Sequence, residues 1–199
     1  FWSKLASICP SLRAVSITAC NRFRLPTVLP DPFPLLSTLR ITNITHLNCD
    51  AIGEMSTLRV LDLRGCGVSS VSLEKLTRLK HLEDFGVPIC SFPVNCLVDA
   101  FPKLHRLSFI VPDAFVSAEE ELRVASQLRS LSITSHEKSL QISDVAWLLK
   151  RCVALEELEI DNCLVLNLST LMRSYLPALR SLSLREAAKQ VVRDNSTLS

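Results

Sequence analysis

The sequence predicts an α/β solenoid of about eight repeats, a curved array in which each repeat gives one short parallel strand and a helical or irregular return. Three observations predict it. The pattern L-x-x-L-x-L, with Val, Phe or Ile in place of the later leucines in some copies, occurs eight times in 199 residues at near-constant spacing. The composition is aliphatic, 48% apolar with only 6% aromatic. Glycine is scarce: Gly53, Gly65, Gly67 and Gly86 are the only four, and no pair has phosphate-loop or dinucleotide spacing. One array over residues 1–199 is expected; the sequence begins at Phe1, so either a leader was removed or this is a piece of a longer chain.

The copies read LRAVSITAC (12–20), LSTLRITNI (36–44), LRVLDLRGC (58–66), LEDFGVPIC (82–90), LHRLSFIVP (104–112), LRSLSITSH (128–136), LEELEIDNC (155–163) and LRSLSLREA (179–187). Their first leucines are 24, 22, 24, 22, 24, 27 and 24 residues apart. A lone L-x-x-L-x-L carries no information in a leucine-rich chain; eight in register do. No single repeat can bury its own apolar edge, so neighbours must stack into one continuous core.

The returns differ. ISDVAWLLKRC (142–152) carries apolar residues at Ile142, Val145, Ala146, Leu148, Leu149 and, just beyond, Val153, a helical stripe with Ser143 or Asp144 to start it. SLEKLTRLKHL (72–82) is similar in character. LPTVLPDPFPLL (25–36) holds four prolines and must be irregular. Partial caps are expected from FWSKLASI before the first strand and from REAAKQVVRDN after the last.

This register resembles the leucine-rich repeat family, with units of about 20–29 residues. The resemblance implies one parallel strand per repeat and, at the final position, an inward Asn or Cys. Cys20, Cys66, Cys90 and Cys163 occupy that position; Cys9 and Cys152 share another, three residues before the first leucine. The stretch ISDVAWLLKRCVALEELEIDNC (142–163) resembles the cysteine-containing repeats of F-box substrate receptors. MSTLRVLDLRGC with LEKLTRLKHLEDF looks more like the repeats of plant nucleotide-binding immune receptors.

Four readings of the cysteines compete. No C-x-x-C pair exists, which argues against metal. Thiols of consecutive repeats lie about 4.8 Å apart across a parallel ladder, whereas a bridge wants Cβ atoms roughly 3.5–4.5 Å apart. Nucleophiles would sit in apolar surroundings, where thiols are inert. Free, buried filling is the expected state. Three N-x-S/T triplets, at Asn43, Asn167 and Asn195, favour secretion. Repeat-register thiols without partners favour a reducing compartment, and an intracellular location is expected.

Chemistry-bearing motifs are missing from the pattern. His46, His81, His105 and His136 pair with no nucleophile through a known motif. His105 is expected to face solvent and His136 to be a buried ring. Glu156, Glu157, Glu159 and Asp161 cluster in one strand, not across a cleft as a glycosidase pair requires. No catalytic residue, cofactor, metal or small-molecule site is expected. Net charge is +2, which gives no nucleic-acid signal, and no run of 18 apolar residues spans a membrane.

Strand alternation points the residues between the leucines away from the core. The outward set includes Arg40, Asp62, Arg64, Asp84, Arg106, Glu157, Glu159, Asp161 and Arg185, among serines and threonines. These nine are the candidate surface for a protein partner, and the Glu157–Asp161 cluster would suit a basic one. A non-catalytic interaction module in a receptor or ubiquitin-ligase adaptor is the leading expectation. A structural subunit embedded in a large assembly and a ligand-sensing domain of an intracellular immune receptor are the alternatives.

Overall fold

The computed structural model describes residues 2–18, 33–42, 44, 47, 49–67, 74–87, 100–111, 126–135, 140–164 and 176–185. The chain forms two compact units, residues 1–108 and 109–199.

The first unit contains helix α1 (Trp2–Ile8), strands β1 (Ala14–Thr18) and β2 (Thr38–Thr42), the single helical turn α2 (Asp50–Gly53), and strands β3 (Val60–Asp62) and β4 (Asp84–Gly86). Strand β5 (Arg106–Val111) begins in it and runs past its boundary. The strands pair in chain order and all in parallel, in matched register: Ser16 opposite Arg40, Arg40 opposite Asp62, Asp62 opposite Gly86, Gly86 opposite Ser108.

The second unit contains β6 (Ser130–Ser135), a two-residue strand β7 (Leu140–Gln141), helix α3 (Ile142–Leu149), β8 (Glu157–Asp161), a short β9 (Cys163–Leu164) and β10 (Ser181–Arg185). β8 lies between β6 and β10, parallel to both, while β7 and β9 form a separate parallel pair. Each of the eight L-x-x-L-x-L copies thus supplies one strand of a parallel ladder, as the repeat requires.

The core follows the motif. Leu39 and Ile41, Leu61 and Leu63, Phe85 and Val87, Leu131 and Ile133, and Leu158 and Ile160 are buried, with the leading leucines Leu36, Leu58, Leu82, Leu104, Leu128 and Leu155 fully so. Burying one such aliphatic contributes about 1.5–3 kcal/mol before entropy. The first and last strands are less covered. Val15 and Ile17 in β1 are half-buried, and Leu182 in β10 is 40% exposed.

A second apolar position lies three residues before each leading leucine. The sequence shows it as cysteine in CPSL and CVAL, but Phe33, Met55, Leu79, Phe101 and Leu176 hold it elsewhere and are all buried, as is Cys152. At each, the leucine N–H donates to the carbonyl of this residue, from Leu36 to Phe33 at 3.0 Å and from Leu155 to Cys152 at 3.0 Å. The turn drops the chain from the return into the strand, and the buried anchor fixes its depth. Phe101 also meets Phe85 edge to face at 5.3 Å between ring centroids.

The residue after the leading leucine then ties one repeat to the next. Its carbonyl accepts two N–H groups from the following repeat. Ser37 and Thr38 both donate to Arg13, Arg59 and Val60 to Ser37, and Glu156 and Glu157 to Arg129.

The returns depart from expectation in detail. Over 72–82, residues 72 and 73 lie outside the described set; residues 74–76 are helical, and tight turns follow, with Leu79 N–H donating to Leu76 and Leu82 to Leu79. From the end of that helical stretch the buried residues Leu76, Leu79 and Leu82 recur every third position, which suits the turns of three residues that lead into β4. α3 begins at Ile142, ahead of Ser143 and Asp144. Its buried stripe is Val145, Leu148, Leu149 and then Cys152; Val153 instead sits exposed on the turn into β8. Of the proline-rich segment only Phe33–Leu36 is described, as a turn. Of the two caps, α1 forms with Ile8 66% exposed, and REAAKQVVRDN beyond Arg185 lies outside the described residues.

Candidate protein-interaction surface

The face of each strand opposite the core carries three rows of side chains. In the first unit one row is Ser16, Arg40, Asp62, Gly86 and Ser108, and a second includes Thr38, Val60, Asp84 and Arg106. Arg64 follows β3 on the same face. All five candidate residues of this unit lie on the outward side, yet four are engaged with one another. Arg64 donates to Asp62 through Nε to Oδ1 at 3.0 Å and through Nη2 to Oδ2 at 2.8 Å, and its backbone N–H reaches Oδ1 at 3.1 Å. Arg106 donates to Asp84 at 3.3 Å. The Arg40 side chain is exposed and makes no hydrogen bond or close ion pair among the described residues, though its charge acts on Asp62.

Gly86 makes the Asp62–Arg64 pair possible. A Cβ there would fall 2.3 Å from Asp62 Oδ1 and 3.2 Å from Arg64 Cγ. The carboxylate therefore lies over the neighbouring strand's bare backbone. Burial there raises the Asp62 pKa, but the Arg64 hydrogen bonds and charge, with a contribution from Arg40, outweigh it and leave the pKa below the ordinary carboxylate value.

In the second unit the rows read Ser130, Glu157, Ser181; Ser132, Glu159, Ser183; and Thr134, Asp161, Arg185. Glu159 accepts from Ser132 Oγ at 3.2 Å and pairs with Arg185 at 2.8 Å. Asp161 stands 3.8 Å from Arg185 Nε, and its Oδ1 is buried with no hydrogen-bond partner among the described residues. Glu157 is exposed and has no ion pair among the described residues. β8 thus presents three carboxylates, two of them beside one guanidinium, and this strand face is acidic.

At the edge where the strands begin lies a further charged row that outward alternation alone does not reveal. Arg59 pairs with Glu83, and Glu156 stands between Arg129 at 3.9 Å and Arg180 at 3.7 Å. These residues all follow a leading leucine, so their repeat spacing was the signal available in the sequence. His105, also in this row, is half-exposed, with Nδ1 3.4 Å from the Lys103 carbonyl oxygen, and Lys103 Nζ donates to His81 Nδ1 at 3.0 Å. His46 and His136 lie outside the described residues.

The cysteines that are described, Cys9, Cys49, Cys66 and Cys152, are free thiols. Cys66 is buried and its Sγ donates to the Ile41 carbonyl of the preceding repeat at 3.2 Å. Burial pushes its pKa up against a backbone contact with Ile44, and the Asp62 charge adds to the rise. Burial lifts the Cys152 thiol to about 12. Neither is set up as a nucleophile. Cys20, Cys90 and Cys96, and the side chain of Cys163, lie outside the description. Among the described residues no cluster of three His, Cys, Asp or Glu is placed to hold a metal, and no helix is long and apolar enough to cross a membrane.

A ladder of one parallel strand per repeat, with leucines inward at fixed register, defines the leucine-rich-repeat fold. No protein-family model matches the chain, and no curated protein does. Solved structures similar to it include two internalins. An internalin C2 of Listeria monocytogenes is 16% identical, over 87% of this chain and 76% of that one, with a TM-score of 0.49. An internalin (inlF) of the same organism is 16% identical, over 90% of this chain, with a TM-score of 0.49. The chain spans 62% of that second protein's length.

Proposed function

We propose that this chain is a non-catalytic protein-interaction module that binds its partner on the outward faces of its strands. The observation that carries the reading is the division of labour along each strand. Alternate residues close the core, and the others form ordered polar rows held in place by ion pairs. A partner then meets side chains whose conformational freedom is already spent, which lowers the entropy lost on docking. Glu157 and Arg40 break the balance of those rows and give each unit an unsatisfied charge to offer. The cysteine-bearing repeats favour a receptor or ubiquitin-ligase adaptor as the setting.

A photoreactive residue placed at Ser183, on the acidic face, tests the reading in extracts of the native cell. A discrete crosslinked protein is expected there and not from the same group at Ser7 on α1. Glu157→Lys with Glu159→Lys should then weaken binding of that protein at least about tenfold, with unfolding temperature nearly unchanged. Equal affinity would remove β8 from the interface.

Exposed apolar residues support a second reading, a subunit embedded in a larger assembly. Leu182 in β10 and Ile8 in α1 present large apolar surface, which a neighbouring subunit would cover. Expression of the chain alone separates the two: a monomeric, cooperative unfolder supports the module, and aggregation relieved only by a co-expressed partner supports the subunit.

A further inference from the structure

Both large apolar side chains that are exposed among the described residues of the first unit lie on one edge, the edge where its strands begin. Ile8 is 66% exposed and Leu35 is 43% exposed. Ile8 ends α1 just before the turn into β1, and Leu35 lies on the turn into β2. The two turns adjoin, since Ser37 N–H donates to the Arg13 carbonyl at 2.9 Å. Pro10 and Pro34 are exposed on the same turns and stiffen them. The turns into β4 and β5 carry cations instead. Lys80 Nζ donates to the Ala100 carbonyl at 3.2 Å, and Lys103 Nζ to His81 Nδ1 at 3.0 Å. His81, accepting at Nδ1, holds its hydrogen on Nε2 and is a donor as well. The carboxylates of this edge, Glu54 and Glu83, are taken by Arg78 and Arg59. Arg13, Lys80 and Lys103 are exposed and have no carboxylate partner among the described residues.

We propose that this edge of the first unit docks on an anionic phospholipid surface. Arg13, Lys80 and Lys103 meet the headgroups, and Ile8 and Leu35 dip between them. Five strands at about 4.8 Å spacing spread these groups over roughly 19 Å. That is too wide for one small anion and suits a broad field of negative headgroups, where each cation contributes about 1 kcal/mol. The apolar pair adds the burial that charge alone does not supply. A protein partner fits the edge less well. Protein hot spots centre on aromatic side chains in pockets, whereas the aromatic residues of these turns, Phe33 and Phe101, are buried as anchors. The outward strand rows also interleave charges of both signs, while the unpaired charges of this edge have one sign. The second unit repeats the combination on its own edge: Val153 is 46% exposed on the turn into β8, and Arg129 and Arg180 flank the single Glu156.

The test is cosedimentation of the full chain at low salt with unilamellar vesicles of phosphatidylcholine, alone or with about 30% phosphatidylserine. Binding is expected with phosphatidylserine, and at least about tenfold weaker without it. Lys80→Gln and Lys103→Gln should each weaken it about fivefold. Lys75→Gln, at an exposed cation on the return before β4, removes the same charge and should leave binding unchanged. Ile8→Ser with Leu35→Ser should weaken it about tenfold. All these positions are exposed, and circular dichroism checks that each variant folds. Equal binding to the two vesicles would overturn the proposal. So would a loss in Lys75→Gln as large as in the edge lysines, or no loss in the edge lysines or in the apolar pair. Absent vesicle binding, with labelled octaglutamate bound in a Lys103-dependent way, would overturn it too and give the edge to an acidic protein. None of these variants alters the outward strand rows, so failure here leaves the reading of those rows standing.

Discussion

Asp62, Arg64 and Gly86 show how one residue's identity sets another's geometry across the ladder. Adding a methyl at Gly86 forces the Asp62 carboxylate off the strand, because the new Cβ would lie 2.3 Å from Oδ1. The obstacle is a movable side chain, so the fold survives while the Arg64 pair breaks. Gly86→Ala is expected to cost on the order of 1 kcal/mol, and the cost should largely vanish in an Asp62→Ala background. Additive costs in that double-mutant cycle would show that Gly86 has another purpose. The same pair fixes a pH effect. The Asp62 pKa is lowered in the folded chain, so its contribution to stability is complete above the unfolded value of about 3.9 and fades as pH falls through the lower folded one. Arg64→Ala should move the Asp62 titration, followed by carboxyl NMR shifts, upward; no movement would deny the pair. The sequence discloses that Asp62 and Arg64 both point outward. It does not disclose that they bind each other, since that depends on which residue of the next repeat lies alongside, and the glycine responsible is 24 positions away.

At the scale of strands and turns, the recurring unit proves longer than L-x-x-L-x-L. An apolar anchor three residues earlier closes a turn onto the leading leucine in every repeat whose turn is described. In the sequence it is visible as cysteine at Cys9 and Cys152, and is masked elsewhere because Phe, Met and Leu serve the same purpose. Leu79→Ala, at a fully buried anchor, should cost about 2–5 kcal/mol in chemical denaturation. A loss under 1 kcal/mol would demote the position to incidental packing. The end of the strand has its own rule. Gly65 and Asn162 occupy equivalent places before Cys66 and Cys163, and both have left-handed backbone, with φ of 75° and 57°. Glycine and asparagine tolerate that region best, and Asn162 adds a bond from its amide to the Ser135 carbonyl at 3.1 Å. Helical returns were legible where the apolar spacing alternated three and four, as in α3. At 72–82 residues 74–76 are helical, and the strict spacing of three from Leu76 to Leu82 accompanies tight turns beyond them.

For the molecule, fold and candidate surface come from one source, the alternation of side chains along a repeated strand. The eight-fold register made the fold readable without reference to any relative, and the same alternation placed all nine candidate residues on strand faces away from the core. What it left unread is how those residues divide between mutual pairing and availability, because pairing is decided between repeats rather than within one. The partner's charge is therefore best sought at Arg40 and Glu157, not across all nine. The claim that alternation sorts core from surface is tested most directly in β6, by comparing thermal and denaturant unfolding of Ile133→Asp with that of Thr134→Asp. Ile133 is fully buried and its neighbour is half-exposed. The account predicts that Ile133→Asp loses at least about 3 kcal/mol or fails to fold, since it buries an unpaired charge, while Thr134→Asp stays within about 1 kcal/mol of the wild type. Comparable losses at the two positions, or the reverse order, would contradict it.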